Sequence, residues 1–184
     1  MKLSALALGA MLSVSTLVGF AYAENPMVGG AAMYEDKNIV ENAVNSADHT
    51  TLVAAVQAAG LVETLSGPGP FTVFAPVNAA FEALPAGTVE GLLKPEAKDQ
   101  LTAVLTYHVV AGDIKSADLI KMIEDAGGTL KVATVQGGEL SFSIDNGAVK
   151  ITDANGGVAT VTIADVDQSN GVIHVIDKVL LPAM

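Results

Sequence analysis

Apolar residues along this chain change period near its middle, and the change separates a helical first half from a stranded second half. After Asn38, Ile39, Val40, Ala43 and Val44 fall at helical spacing, and "SADHTTLVAAVQAAGL" restarts the period with Asp48 or Thr50 as cap and Gly60 as stop. "SGPGP" (66–70) breaks the chain. In "FTVFAPVNAAF" (71–81), Phe71, Val73 and Ala75 alternate with Thr72 and Phe74, which predicts a strand apolar on most of both faces. Pro76 has no N–H to donate and ends the ladder, and Asn78 is placed to cap a short helix carrying Phe81 and Leu84. Phe71 or Phe74, and Phe81, are therefore expected inside. Further on, Pro95 suits a helix first turn, and Leu101, Val104, Leu105 and His108 share one helical face. "SADLIKMIEDAGG" (116–128) reads as a last helix, capped at Ser116 and closed by its glycines.

Strands follow. "TLKVATV", "ELSFSID", "AVKIT", "VATVTIADVD" and "VIHVIDKVLL" are β-branched runs separated by Gly137-Gly138, Asn146-Gly147, Asn155-Gly156-Gly157 and Asn170-Gly171. Asn-Gly between such runs signals hairpins, because both residues tolerate positive φ. Helices followed by a mostly antiparallel meander predict an α+β domain with a sandwich or barrel-like sheet.

Before these elements, Lys2, the apolar stretch Leu3 to Phe20 and Ala21-Tyr22-Ala23 have the build of an export signal (1–23) cut after Ala23. An uncleaved anchor is the alternative, since such a stretch reaches the lower limit for spanning a bilayer. Residues 24–37 contain a proline, two adjacent glycines and no clear period, and read as an N-terminal arm; periodicity gives Met27 and Met33 no role. The domain proper is expected over 38–184. Processing would leave 161 of the 184 residues, enough for one core. With no cysteine, that core is held by packing alone.

Loss of Lys2 leaves eight Lys and no Arg against twenty acidic residues, a formal charge of −12. Such a surface repels phosphate backbones, which excludes nucleic acid as a partner, and disfavours anionic headgroups. It suits weak binding of divalent cations. "DANGG" (153–157) and "DVDQSNG" (165–171) place oxygen donors on turns, but neither matches a twelve-residue calcium loop, and Asx-type turns explain both. No cofactor is implied.

Enzymatic chemistry has little to work with. Gly-x-Ser-x-Gly, His-Glu-x-x-His and the phosphate-binding Gly-x-x-x-x-Gly-Lys-Ser/Thr are absent, and the three histidines have no zinc-ligand spacing. His108 ends an apolar helical face and is expected buried and bonded; His174 shares a strand face with Val172 and Ile176 and is read the same way; His49, beside Asp48 at a helix start, is expected exposed. The mature chain has no Trp and only Tyr34 and Tyr107, which argues against an aromatic sugar platform.

Three stretches together resemble the fasciclin domain family: "FTVFAPVNAAF" its first hallmark segment, Tyr107-His108 its central tyrosine-histidine motif, and "SNGVIHVIDKVLLP" (169–182) its second. Val77 departs from the threonine common there, and removes a hydroxyl able to cap the next helix. The resemblance implies a wedge-shaped β-sandwich of mostly antiparallel strands with packed α-helices, in a single-domain secreted protein of bacterial type. It also implies a non-enzymatic role in adhesion to cell surfaces, matrix or extracellular polymers, in a periplasmic or extracellular place. The motif residues that become candidates for interaction are Tyr107, His108, Asn78, His174 and Asp177. Two other readings stay open. A small-ligand carrier predicts a continuous apolar cavity, and a hydrolase predicts a Ser or Asp bonded to a His in a cleft.

Overall fold

The computed structural model describes residues 25–183, so the predicted export signal lies outside the described residues. The chain opens with a hairpin, β1 (Met27–Val28) and β2 (Ala31–Ala32), paired antiparallel with Val28 opposite Ala31. Gly29 and Gly30 make its turn, both at positive φ. Residues 25–37 of the predicted arm (24–37), where the sequence pattern shows no element, thus carry structure, and Met33 has a role: it is 2% exposed and seated in the core beside Val28, while Met27 points outward. An isolated side chain in a stretch without a period leaves no sequence signal of its burial.

Helices α1 (Ile39–Ala43), α2 (Thr50–Ala59) and α3 (Val62–Ser66) follow, with a 3₁₀ turn at Ala47–His49 ahead of α2 and Gly60 as its left-handed stop. Strand β3 (Phe71–Pro76) leads into α4 (Asn78–Glu82), α5 (Thr88–Leu92), a 3₁₀ turn at Pro95–Ala97, and α6 (Lys98–Tyr107). Then come β4 (Val109–Ala111) and α7 (Ser116–Asp125). The meander is β5 (Thr129–Ala133), β6 (Glu139–Asp145), β7 (Ala148–Thr152), β8 (Val158–Gln168) and β9 (Gly171–Ile176).

Seven strands form one mixed sheet in the order β4-β3-β9-β8-β7-β6-β5, antiparallel everywhere except between β3 and β9. The long strand β8 belongs to both halves: Val158 to Thr160 pair with β7, and Val161 to Gln168 pair with β9 across two irregularities of register. Such irregularities bend a strand, and just beyond β5 the Val135 N–H donates to the Val109 carbonyl at 2.8 Å, so the far edge returns to β4. The α+β sandwich with packed helices is therefore as expected. Strand β9 stops at Ile176, short of the predicted run to Leu181.

Alternation along β3 and β9 sorts the core into two. Val73, Ala75, Ile173 and Val175 face the helices, joining Leu52, Val56, Leu101, Leu105 and Phe81. Phe74 and Ile176 face the interior of the folded sheet, with Tyr107, Leu140, Phe142, Ile151 and, from α7, Leu119 and Ile123. Phe74 and Phe81 are buried and Phe71 half-buried.

Candidate functional site

The five motif residues do not converge on a cleft. Tyr107 and His108 end α6, where the helix turns into β4, and both side chains point inward: Tyr107 is fully buried and His108 is 2% exposed. The Tyr107 hydroxyl donates to the Glu139 carbonyl at 2.8 Å and accepts the Ala154 N–H at 3.0 Å. Burial raises its pKa above the ordinary phenol range, so it stays protonated. His108 Nδ1 donates to the Val104 carbonyl at 2.7 Å, and Nε2 accepts the Leu180 N–H at 2.9 Å. Those two bonds fix one neutral tautomer.

Asp153 completes the assembly. Its Oδ1 accepts the Asn155 and Gly157 N–H groups at 2.9 and 2.7 Å, the expected Asx turn, and its Oδ2 accepts the Leu181 N–H at 3.0 Å. Asn155 Nδ2 donates to the Leu181 and Pro182 carbonyls. The tyrosine-histidine pair thus clamps three separate pieces of chain: the start of β6, the β7–β8 turn and the tail after β9.

Protonating His108 would break the Leu180 bond, and burial, outweighing the Val104 carbonyl and the Asp153 charge, lowers its pKa to about 4. In the unfolded chain the value is near 6.5, so stability is full above that pH and is lost as pH falls from about 6.5 to about 4, by roughly 3 kcal/mol for this group. We expect urea midpoints to fall between pH 7 and 5, before most carboxylates titrate, and the His108 ring to titrate below pH 5 by NMR. A midpoint flat over that range would refute the tautomer assignment.

His174, also buried, donates from Nε2 to the Ile114 carbonyl at 2.8 Å, accepts the Asp165 N–H at Nδ1 at 3.3 Å, and stacks on Phe74 with centroids 5.5 Å apart. Burial lowers its pKa, against the Ile114 carbonyl and the Asp165 charge. Asp177 Oδ1 accepts the Thr160 N–H at 2.7 Å beyond the end of β9. Asn78 does not cap its own helix. The residue preceding α4 is Val77, which carries no capping group, and the Asn78 side chain reaches across instead: Oδ1 accepts from Thr50 Oγ1 and the Thr51 N–H in the first turn of α2, and Nδ2 donates to the Ala47 carbonyl. Ser116 likewise stands inside α7, where its N–H and hydroxyl both donate to Asp165, so a residue from β8 caps that helix.

His49 overturns its expected exposure: it is 4% exposed, because the 3₁₀ turn after Ser46 rolls the ring under the hairpin. Its Nδ1 lies 2.8 Å from Ser46 Oγ, and Nε2 has no hydrogen-bond partner. This is the Ser–His contact a hydrolase would need, but both residues are buried in an apolar surround with no cleft beside them. A carrier expects a continuous cavity. The two apolar cavities found, beneath α1–α3 and beside His49, measure about 30 and 20 Å³, against the roughly 300–1,000 Å³ typical of ligand sites.

Sequence reasoning missed the buried amides. Asn170 Oδ1 accepts the Ile39 N–H, and Nδ2 donates to the Leu65 and Gly67 carbonyls at 2.6 and 3.0 Å. Asn42 exchanges hydrogen bonds with the Tyr34 backbone and donates to Gln168 Oε1. Only the Asn-Gly turn at 170–171 left a trace in the pattern. Among the described residues, no three His, Asp or Glu side chains gather as metal ligands, and no helix is long and apolar enough to cross a membrane.

On the outside, the clamp borders an open depression of about 580 Å³, walled by Lys131, Gln136, Gly138, Ser141 and Ala154. Gly138 packs so near the Tyr107 ring that a Cβ there would lie 2.7 Å from it. The arrangement offers backbone groups, hydroxyls, the Gln136 amide, the Asp153 carboxylate and the Lys131 amine paired with Glu139 at 3.7 Å, on a shallow surface with no activated nucleophile.

The fasciclin domain family model matches residues 47–182. The chain belongs to the fasciclin domain family. It is 52% identical to Protein sll1483 of Synechocystis sp. over 161 residues, covering 88% of this chain and 82% of that protein. It is 37% identical to the Immunogenic protein MPB70 of Mycobacterium bovis over 145 residues, 76% of this chain and 66% of that protein. Its fold is similar to a FAS1 domain pair from the insect cell adhesion molecule Fasciclin I, with a TM-score of 0.69 and 19% identity, over 79% of this chain and 51% of that one. The fasciclin hallmark segments thus supply the adjacent interior strands β3 and β9, lying side by side in parallel, with the tyrosine-histidine motif next to the edge strand β4.

Proposed function

We propose that this fasciclin domain is an exported, non-enzymatic adhesion module, processed after Ala23 and acting in the periplasm or outside the cell. Its partner is a protein or polymer of a cell surface or matrix, met at the open depression beside the tyrosine-histidine clamp. The observation that carries this reading is the internal commitment of the motif: the polar atoms of Tyr107, His108 and His174 are spent on the fold, which leaves recognition to the shallow surface they support. Family membership makes adhesion the prior function, and the shallow form suits a macromolecule better than a small ligand.

The test is retention of the mature protein on cell-envelope fractions and extracellular polymers, beside K131E and Q136A variants. Both side chains are on the surface, so their removal should shift stability by no more than about 0.5 kcal/mol, while retention falls about fivefold or more, the range of an interface residue worth upwards of 1 kcal/mol. Exported protein is expected to begin at Glu24 by mass spectrometry. Retention unaffected by either variant would move the contact elsewhere, and retention by none of the fractions would end the adhesion reading.

A further inference from the structure

Of the three buried histidines, one can take up a proton without losing a bond. His108 and His174 each present a lone pair to a backbone N–H, from Leu180 and Asp165, so a second ring proton would meet a donor head-on. His49 presents Nδ1 to a hydroxyl, which can donate or accept by rotating, and Nε2 to no donor at all. Nearby, the Ala75 carbonyl favours a ring proton without meeting hydrogen-bond geometry.

What opposes the charge is the cavity around it. Its walls are Val28 and Met33 from the hairpin side, Ile39 and Ala43 from α1, Leu52 from α2, and sheet residues of β3, β8 and β9, all uncharged. Asp48, on the ring's own turn, is the one acid whose charge reaches it; burial outweighs both that and the Ala75 carbonyl and lowers the pKa of His49. An imidazolium there must gain water, and the walls differ in how firmly they are held. The sheet and helices are laced by their own ladders. The hairpin has two residues per strand; the bond from the Ala47 N–H to the Gly29 carbonyl at 3.1 Å ties it to the 3₁₀ turn, and the Asn42 amide, paired with the Tyr34 backbone, anchors the chain just after Met33 and is the point about which it would swing.

We propose that the N-terminal hairpin is an acid-released cover over the helix-side core, with His49 as the group that releases it. At neutral pH Val28 and Met33 seal the cavity over a neutral ring. When His49 is protonated, the hairpin swings away, the imidazolium reaches water, and the apolar patch of Ile39, Leu52 and Val73 is uncovered. The hairpin itself lies ahead of residues 47–182, the region the family model matches, while His49 lies within it. The closed form holds the lowered pKa, so closure is full above about 6.5 and weakens as pH falls below it.

Hydrogen exchange on the mature protein tests this, with rates corrected for the intrinsic effect of pH. Protection of the Met33 amide, bonded to the Pro26 carbonyl, and of the Ala47 amide should fall about tenfold per pH unit below about 6.5. The Phe74 amide, bonded to the His108 carbonyl, reports global opening, so its protection follows the stability lost through His108 and should be the same in the parent and in H49Q. H49Q should remove the pH dependence at Met33 and Ala47 and leave Met33 protected at pH 5. In the parent, the His49 ring resonances should titrate below the ordinary histidine value, a measurement that stands even if H49Q folds poorly. Equal protection of Met33 at both pH values, a Met33 protection that falls as steeply in H49Q as in the parent, or a His49 ring that titrates at or above its ordinary value would each overturn the proposal.

Discussion

Phe74→Ala is expected to lower stability by about 3–5 kcal/mol, the range for emptying a buried aromatic site, out of the roughly 5–15 kcal/mol a domain has. Phe74 is 1% exposed on the inner face of β3, with the Phe142 ring 5.3 Å away at a 43° tilt and the His174 ring stacked on its other side. Those neighbours come from both halves of the folded sheet, and strands held by ladders cannot collapse into the void. The loss also frees one face of His174, whose two hydrogen bonds tie β9 to the segments before α7 and within β8. Urea melts should show the drop with an unchanged slope, and adhesion should fall only in proportion to folded protein. A variant that melts like its parent and no longer adheres would make this hallmark strand the binding surface instead of its support.

Period and turn chemistry made these elements legible for a plain reason: β3 and β9 are short apolar runs buried on both faces, β5, β6 and β7 alternate, and the turns of the meander need Gly or Asn. The same reasoning placed Phe71 or Phe74, together with Phe81, His108 and His174, inside, and of the first two Phe74 is the one fully buried. It failed where a polar side chain serves a distant element. Asn78 carries the sign of a cap at 78, but Ala47, Thr50 and Thr51 lie closer to its amide than its own helix needs it, so it caps α2. His49 looks exposed beside Asp48 until the hairpin covers it, and the hairpin is two residues per strand, too short for any period. The motif residues were found by resemblance, yet their role is readable only in three dimensions. Tyr107 and His108 are adjacent in sequence, and the groups they hold, Glu139, Ala154 and Leu180, are 32 to 72 positions away.

Gly171→Ala should be as damaging as Phe74→Ala although it adds one methyl group. Gly171 opens β9 directly opposite Phe71 in the parallel pair, and a Cβ there would overlap the Phe71 carbonyl oxygen and sit 2.8 Å from the Phe71 nitrogen. Both obstacles are backbone, so no rotamer change relieves them; the start of β3 must move away from β9. That movement is resisted on either side, because the Phe71 N–H donates to the Asn170 carbonyl at 3.0 Å, and the Asn170 side chain holds Ile39, Leu65 and Gly67. Overpacking commonly costs about 1–3 kcal/mol, and a clash of main chain with main chain belongs at or above the upper end, about 3–5 kcal/mol. Gly91→Ala supplies the contrast. Gly91 lies inside α5 with open space where its Cβ would go, so the same change of residue should stabilise by up to about 1 kcal/mol. If the two variants shift the urea midpoint by similar amounts in the same direction, the tight seam between the hallmark strands is not what Gly171 serves.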